Sequence, residues 1–277
     1  MLMHGFEVIM SEVAMGSDPD ERPQTNHSDS QIDARHVSLE YEVDGRNVLA
    51  VKDVSFAVRK SEFYCILGPS GCGKTTLLNI LAGLLTPSSG EILIDGAAIG
   101  ARKQDRGVVF QDIGQLFPWR TARFNVEFGL EMRGIKKAER EKTALEFLRL
   151  VGLEKFVDAY PHQLSGGMQQ RVAIARSLAY NPQVLLMDEP FAALDAMTRD
   201  DMQQLLSRVW AQTKKTVVYI THNVSEAVFL ADRVLIMNAH PGSVKIEIPV
   251  NLQRPRDPLG TSFVEMQREI MGHLKKF

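Results

Sequence analysis

Hydrophobic and polar residues follow two distinct periods along most of the chain. Apolar–polar alternation, or a short continuous apolar run, predicts strands at 37–43, 54–58, 63–67, 91–95, 107–110, 184–187, 216–220, 234–237 and 243–250. Apolar residues at helical spacing predict helices at 75–84, 136–151, 169–180 and 261–275. Strands that alternate with helices indicate an α/β fold around a mainly parallel sheet.

The start of the chain has a different composition. Residues 1–30 carry six acidic residues and one basic residue without an apolar period, so we expect a disordered acidic tail over residues 1–31. Residues 31–277 carry a net charge of +3, and the whole chain carries −2. This balance gives no strongly basic surface of the kind that binds nucleic acid. No apolar run approaches the ~20 residues that span a bilayer. Two cysteines are too few for a disulfide framework.

A glycine-rich loop joins the predicted strand at 63–67 to the following helix. Its residues fit the pattern G-x4-G-K-[ST] and are Gly68, Pro69, Ser70, Gly71, Cys72, Gly73, Lys74 and Thr75. Glycines let backbone N–H groups surround a phosphate chain, Lys74 would bridge the β- and γ-phosphates, and Thr75 would bind Mg²⁺. The alternative, a glycine-rich turn with an incidental lysine, is disfavoured by the strand–loop–helix context.

Two carboxylates end the predicted strand at 184–187. The strand delivers Asp188 and Glu189 to the same sheet edge as the phosphate loop. Asp188 could hold Mg²⁺, and Glu189 could take a proton from an attacking water. A plain strand-end turn is the alternative.

A second anion site is indicated at Ser165, Gly166 and Gly167, which precede a predicted helix. Free N–H groups, a hydroxyl and the helix dipole all favour an anion there. A capped helix with a flexible lead is the alternative. One resolution is that this site serves the γ-phosphate of a nucleotide held by another copy of the chain.

Together with Gln111, Asp195 and His222, these motifs resemble the ATP-binding cassette ATPases over residues 32–250. The resemblance implies a P-loop NTPase fold with a RecA-like core, an antiparallel β subdomain and an α-helical signature subdomain at about 112–178. Residues 251–277 would be a short C-terminal extension. The resemblance also implies a head-to-tail homodimer with two ATP molecules and Mg²⁺ at its interface.

The resemblance assigns roles to individual residues. ATP would contact Tyr41, through its adenine ring, and residues 68–76, which end at Thr76. The partner's ATP would contact Ser165, Gly166, Gly167 and Gln169. Mg²⁺ would contact Thr75, Gln111 and Asp188. The catalytic groups would be Glu189, His222 and Gln111. Asp195 would lie in the loop that crosses the dimer interface. By themselves, Tyr41, Gln111 and His222 are equally compatible with ordinary packing or loop positions.

A finer resemblance, carried by residues 117–119, 187–191, 226–233 and 254–257, is to ATPases of nitrate, sulfonate and taurine importers. It implies separate membrane permease subunits, a periplasmic or lipid-anchored solute-binding protein, and a position on the cytoplasmic face of the inner membrane. Phe117, Pro118 and Trp119 would form the docking surface, with an ordinary packed loop as the alternative. An ATPase of a lipid or lipoprotein exporter, a non-transport cassette ATPase and a nucleotide-switched scaffold are the rival functions.

Three positions depart from the usual pattern of this family. Ser61 stands where glycine is common, Ala192 replaces glycine or serine, and Asn223 replaces the aspartate after His222. None of these changes removes a catalytic group.

Overall fold

The computed structural model describes residues 30–43, 45–99 and 106–275. Its strands are β1 (Ser30–Val43), β2 (Arg46–Arg59), β3 (Phe63–Leu67), β4 (Ser89–Ile94), β5 (Ala97–Ala98), β6 (Arg106–Val109), β7 (Val184–Asp188), β8 (Thr216–Thr221), β9 (Arg233–Asn238) and β10 (Ser243–Pro249). Its α-helices are α1 (Lys74–Leu81), α2 (Ala122–Met132), α3 (Lys137–Leu150), α4 (Gly166–Ala179), α5 (Ala196–Thr213), α6 (Val224–Leu230) and α7 (Thr261–Lys275).

The larger sheet is mainly parallel, as predicted. Its strand order is β10-β9-β3-β8-β7-β6, and only β10 runs antiparallel to its neighbour within the described residues. The continuous apolar runs of β3, β7 and β8 are buried throughout because helices and the second sheet cover both faces. The carboxyl ends of these three strands therefore meet at one edge of the sheet.

The smaller sheet is antiparallel, with the strand order β2-β1-β4-β5. Its inner face, which includes Ile32, Val54 and Ile92, packs with one face of the larger sheet and α1 in a single apolar cluster. A second apolar cluster joins the opposite face of the larger sheet to the remaining helices. The phosphate loop lies where β3 leaves the larger sheet.

A helical layer is formed by α2, α3 and α4. Glu127 on α2 is 1% exposed, and its two carboxylate oxygens pair with Arg123 at 3.3 Å and with Arg140 of α3 at 3.0 Å. Two guanidinium groups compensate the cost of removing this carboxylate from water. The network thus ties α2 to α3.

The start of the first strand differs from the prediction, whereas the last helix does not. Most of the predicted acidic tail, residues 1–29, lies outside the described residues, but Ser30 and Gln31 belong to β1. Gln31 is buried because its side chain bonds both Thr216 of the larger sheet and Asp95. The predicted C-terminal extension contains α7 at the predicted position, and α7 packs Phe263 and Ile270 into the main apolar cluster. Across the described part of the chain, no helix is long and apolar enough to cross a membrane.

Candidate active site

The phosphate loop is held tightly at its base. Lys74 opens α1 and is 5% exposed, and its Nζ donates to the backbone oxygens of Gly68 at 2.9 Å and Pro69 at 3.0 Å. Gly73 has φ +85°, and a Cβ there would lie 2.8 Å from the oxygen of Ala50. No other residue fits this position without moving the backbone. The ammonium group is thereby fixed at the start of a helix, where anions bind.

Cys72 lies on the inner side of this loop. Its side chain is buried, and a Cβ on Gly68 would lie 2.6 Å from its sulfur. Burial raises the pKa of the Cys72 thiol. The side chain fills space inside the loop, while Ser70 and Gly71 are exposed at its tip.

Tyr41 lies beside the same loop. Its hydroxyl donates to Thr76 Oγ1 at 3.3 Å, and its ring is 36% exposed. An exposed aromatic face next to a phosphate site can stack on a base. The placement therefore suits the predicted adenine contact.

Asp188 meets Thr75 at the edge of the sheet. Parallel pairing sets Asp188 of β7 opposite Ile220 of β8, and Thr75 Oγ1 donates to Asp188 Oδ1 at 3.4 Å. Burial raises the pKa of Asp188, which is 6% exposed, and the hydrogen bond from Thr75 opposes this shift. A hydroxyl and a buried carboxylate are oxygen ligands of the kind that Mg²⁺ prefers, so these residues fit that ion.

Glu189 follows directly and turns toward a different set of partners. The residue has φ +40°, and its backbone N–H donates to Ile220. Its Oε2 lies 2.7 Å from Nδ1 of His222, and its Oε1 lies 3.7 Å from Nζ of Lys74. The carboxylate, the imidazole and the ammonium group thus meet at one point above the sheet.

Gln111 is not brought into this cluster. It follows β6 with an exposed side chain, and within the described ranges no hydrogen bond joins it to Asp188 or Glu189. The structure places it on the same sheet edge, since β6 pairs with β7 in parallel.

The predicted second anion site begins α4. Ser165 is the N-cap, with its Oγ accepting from the N–H of Met168 at 3.3 Å, and Gly166 and Gly167 form the first turn. The amide nitrogen of Gln169 donates to the oxygens of Pro161 and Leu164 and so holds the preceding turn, while its contact with the partner's ATP stays a prediction. Between described residues, no hydrogen bond links this site to the phosphate loop of the same chain.

Asp195 is the N-cap of α5. Its Oδ1 accepts from the N–H of Thr198 at 3.0 Å, and hydrogen bonding to Thr198 lowers the pKa of Asp195. The side chain is exposed, as a contact with a second copy requires.

Two departures from the family pattern have structural explanations. Ser61 has φ +59°, a conformation that glycine adopts more readily, and its N–H donates to Thr216 Oγ1. Asn223 caps α6, with Oδ1 accepting from the N–H groups of Ser225 and Glu226 as an aspartate would. Ala192 is exposed, and no contact in the structure explains its identity.

Two charged residues that sequence reasoning gave no role complete the surroundings. Arg199 and Glu226 line a small pocket of about 50 Å³ together with Glu189, Thr221 and His222. The sequence offered two signals for these residues. Arg199 is a basic residue one turn after the N-cap Asp195, and Glu226 is an acidic residue in the first turn of a short helix.

The predicted docking loop, residues 117–119, is partly buried. Trp119 is 71% exposed, whereas Phe117 packs edge-on against Phe128 with ring centroids 4.6 Å apart. Asn125 is fully buried and bonds both the N–H and the oxygen of Phe117. The loop therefore presents the exposed Trp119 ring from a base that the packed Phe117 ring and the buried Asn125 hold in place.

Comparison with known proteins decides the family. A family model described as ABC transporter matches residues 51–192. The taurine import ATP-binding protein of Rhizobium johnstonii is 48% identical over 238 residues, covering 83% of this chain and 90% of that protein. The chain belongs to the ABC transporter family. The nitrate import ATP-binding protein of a Synechocystis species is also similar, at 47% identity over 223 residues, with 80% and 84% of the two chains covered.

A solved ABC structure supports the same assignment. A dimeric ATP-binding cassette in a post-hydrolysis state, bound to ADP and phosphate, superposes with a TM-score of 0.71 at 37% identity, covering 80% of this chain and all of that one. The predicted P-loop NTPase fold of the ABC ATPases is confirmed. So is the predicted resemblance to ATPases of taurine and nitrate importers. As an ABC ATPase, the chain hydrolyses ATP to drive transport.

Proposed function

We propose that this chain is the ATP-hydrolysing subunit of an importer for a small anionic solute of the nitrate, sulfonate or taurine class. It would work as a head-to-tail homodimer bound to separate membrane permease subunits on the cytoplasmic face of the inner membrane. A periplasmic or lipid-anchored protein would deliver the solute. The observation that carries the ATP-hydrolysing role is the meeting of Lys74, Glu189 and His222 beside the Thr75–Asp188 pair. The importer role and the solute class are supported by the similarity to taurine and nitrate import ATP-binding proteins.

The residues at this edge divide the work of phosphoryl transfer. Lys74 and the N–H groups of the phosphate loop bind the β- and γ-phosphates, and Tyr41 stacks on adenine. Thr75 and Asp188 would hold Mg²⁺, with Gln111 as the third predicted ligand, and the bound ion would supply neutralisation of the phosphate charge.

Glu189 acts as the general base. Its carboxylate takes a proton from water while the water oxygen bonds to the γ-phosphorus, and the bond from that phosphorus to the β–γ bridging oxygen breaks. ADP and phosphate are the products. Nδ1 of His222 holds Oε2 of Glu189 at 2.7 Å, which orients the base, and its ring can contact the γ-phosphate.

The second nucleotide contact comes from a second copy. Ser165, Gly166 and Gly167 present a helix N-terminus that the phosphate loop of the same chain does not use. In a two-fold dimer, this surface of each copy meets the nucleotide of the other, and Asp195 lies in the crossing loop. The dimeric structure of the similar cassette supports this arrangement.

The exposed ring of Trp119 supports the permease contact. Tagged wild-type chain, produced with the permease subunits of its own organism, is expected to copurify with them from membranes. Trp119→Ala should lose the permease and keep phosphate release, whereas Leu259→Ala, at a site that is 90% exposed, should keep both. Failure of the wild-type chain to retain any permease would contradict the proposal.

The solute class is tested by uptake in cells that lack this chain. Restoring the wild-type chain should restore uptake of labelled nitrate, taurine or an alkanesulfonate, and Glu189→Gln should not. Export of a lipid by the complex, with no uptake of these anions, would favour the exporter alternative instead.

A further inference from the structure

The pocket behind Glu189 and His222 contains two charged residues without a part in the hydrolysis described above. Arg199 comes from the first turn of α5, and Glu226 comes from the first turn of α6. Neither contacts Lys74 or Asp188 in the described structure. Their contacts instead run between the two loops that flank the site.

Glu226 anchors the end of β8. The residue is 4% exposed, and its Oε2 accepts from the hydroxyls of Thr221 at 2.7 Å and Tyr219 at 3.0 Å. Thr221 Oγ1 also accepts from the N–H of Asn223 at 3.0 Å. The backbone on both sides of His222 is thereby fixed to one buried carboxylate.

Arg199 anchors the loop at residues 193–195, which we call the dimer loop. Its Nη2 donates to the oxygen of Leu194 at 2.7 Å, and its Nε donates to the oxygen of Phe191 at 3.4 Å. The same Nε lies 3.8 Å from Oε1 of Glu226. One guanidinium group thus holds the dimer loop and pairs with the carboxylate that fixes the histidine loop.

The first turn of α5 also touches the start of α4. A Cβ on Gly167 would lie 2.6 Å from Cγ2 of Thr198, so the Thr198 side chain packs directly against the Gly167 backbone where a larger residue would displace it. Thr198 immediately precedes Arg199. A continuous set of contacts therefore runs from Gly167, through α5 and Glu226, to Thr221 beside His222.

We propose that Arg199 and Glu226 are positioning residues that link the dimer loop and Gly167 to the orientation of His222 against Glu189. The proposal rests on the proposed function, in which Gly167 contacts the nucleotide of the other copy. Closure at one nucleotide would then align the base at the other through these contacts. Neither side chain touches a reacting atom.

The test compares steady-state phosphate release by the full-length wild-type chain with that by Arg199→Ala, Arg199→Lys and Glu226→Gln. We expect Arg199→Ala to lower kcat about 10–100-fold, because a displacement of about 1 Å at a reacting group costs this much. KM for ATP should stay within about threefold, since the phosphate loop is unchanged. Arg208→Ala, at an exposed position on α5, is the matched control and should match wild type.

Two further measurements separate positioning from a structural role. Arg199→Lys keeps the charge but lacks the fork that reaches a carbonyl and a carboxylate, so it should recover only part of kcat. Because the two residues act in one linkage, the Arg199→Ala, Glu226→Gln double variant should be no slower than the slower single variant. Multiplied losses in the double variant would overturn the linkage.

Other outcomes are equally decisive. Wild-type kcat in Arg199→Ala, or losses in kcat and KM together with a large fall in Tm, would overturn the inference. If Arg199→Ala does not fold, Arg199→Lys and Glu226→Gln carry the same test through their kcat and KM. A wild-type chain that releases no phosphate from ATP would instead contradict the proposed function itself.

Discussion

Replacing Glu189 with glutamine tests the chemistry of the site with the least structural change. Glutamine has nearly the same shape, can keep a hydrogen bond to Nδ1 of His222, and leaves the contacts of Lys74 with its own loop in place. What the variant loses is the capacity to accept a proton. Removal of a general base lowers kcat about 10²–10⁴-fold, and each tenfold step corresponds to about 1.4 kcal/mol.

The sign of the effect on KM also follows from the geometry. Glu189 Oε1 lies 3.7 Å from Nζ of Lys74. Two unit charges near that separation attract by about 4 kcal/mol at an effective dielectric of about 20. Loss of the carboxylate removes both its attraction for the Lys74 ammonium group and its repulsion of the ATP phosphates. We therefore expect KM to be unchanged or lower.

The assay is phosphate release over a range of ATP concentrations at fixed Mg²⁺. Glu146→Gln, which alters an exposed glutamate on α3, is the control for the loss of one acidic group and should match wild type. The reasoning is refuted if Glu189→Gln keeps more than about a third of wild-type kcat, or if KM rises as steeply as kcat falls.

Two further outcomes are expected. Burial raises the pKa of Cys72, so iodoacetamide should modify this thiol slowly near pH 7 and faster as the pH rises. Alkylation of Cys72 should block ATP binding. An alkylated chain that binds ATP normally would contradict this expectation. Glu127→Ala removes the carboxylate that pairs with Arg123 and Arg140 in the helical layer. We expect a loss of about 3 kcal/mol in stability, at the low end for a broken buried pair because Arg123 also contacts Glu141. A melting curve should show Tm lower by about 6–12 °C, and no change for the control Glu146→Ala.

Much of the fold follows from local patterns. The apolar run of β3 predicts its bounds of Phe63–Leu67, and α7 lies at its predicted position of Thr261–Lys275. The helix α5 is absent from the sequence-based predictions. Its apolar residues, such as Met202, Leu205 and Val209, do recur at helical spacing and are buried, but polar residues separate them.

Errors at strand ends have a different physical origin. Only 54–58 is predicted for β2, which extends over Arg46–Arg59, because its first half is exposed and its pairing with β1 contains irregular registers. At the start of β1, Gln31 is polar and gives no apolar signal. Its burial depends on bonds to Asp95 and Thr216, which are distant in sequence.

The candidate site also contains residues that the sequence predicts and contacts that it does not. Motif spacing predicts Lys74, Asp188, Glu189 and His222, because each occupies the end of a strand or the start of a helix. The contacts of Glu226 and Arg199 could not be predicted, since they depend on how α5 and α6 cross the end of β8. The bonds of Gln169 to the turn before α4 were likewise not predicted, since they depend on the local path of the backbone.

The central claim is that ATP is bound and hydrolysed between two copies of this chain. The mass in solution of Glu189→Gln with and without Mg²⁺ and ATP tests it most directly, because this variant should hold the closed state. We expect a mass near 31.0 kDa without ATP and about twice that value with ATP, and the lower mass should return when Gly166→Asp is added. A mass that stays near 31.0 kDa at saturating ATP would contradict it.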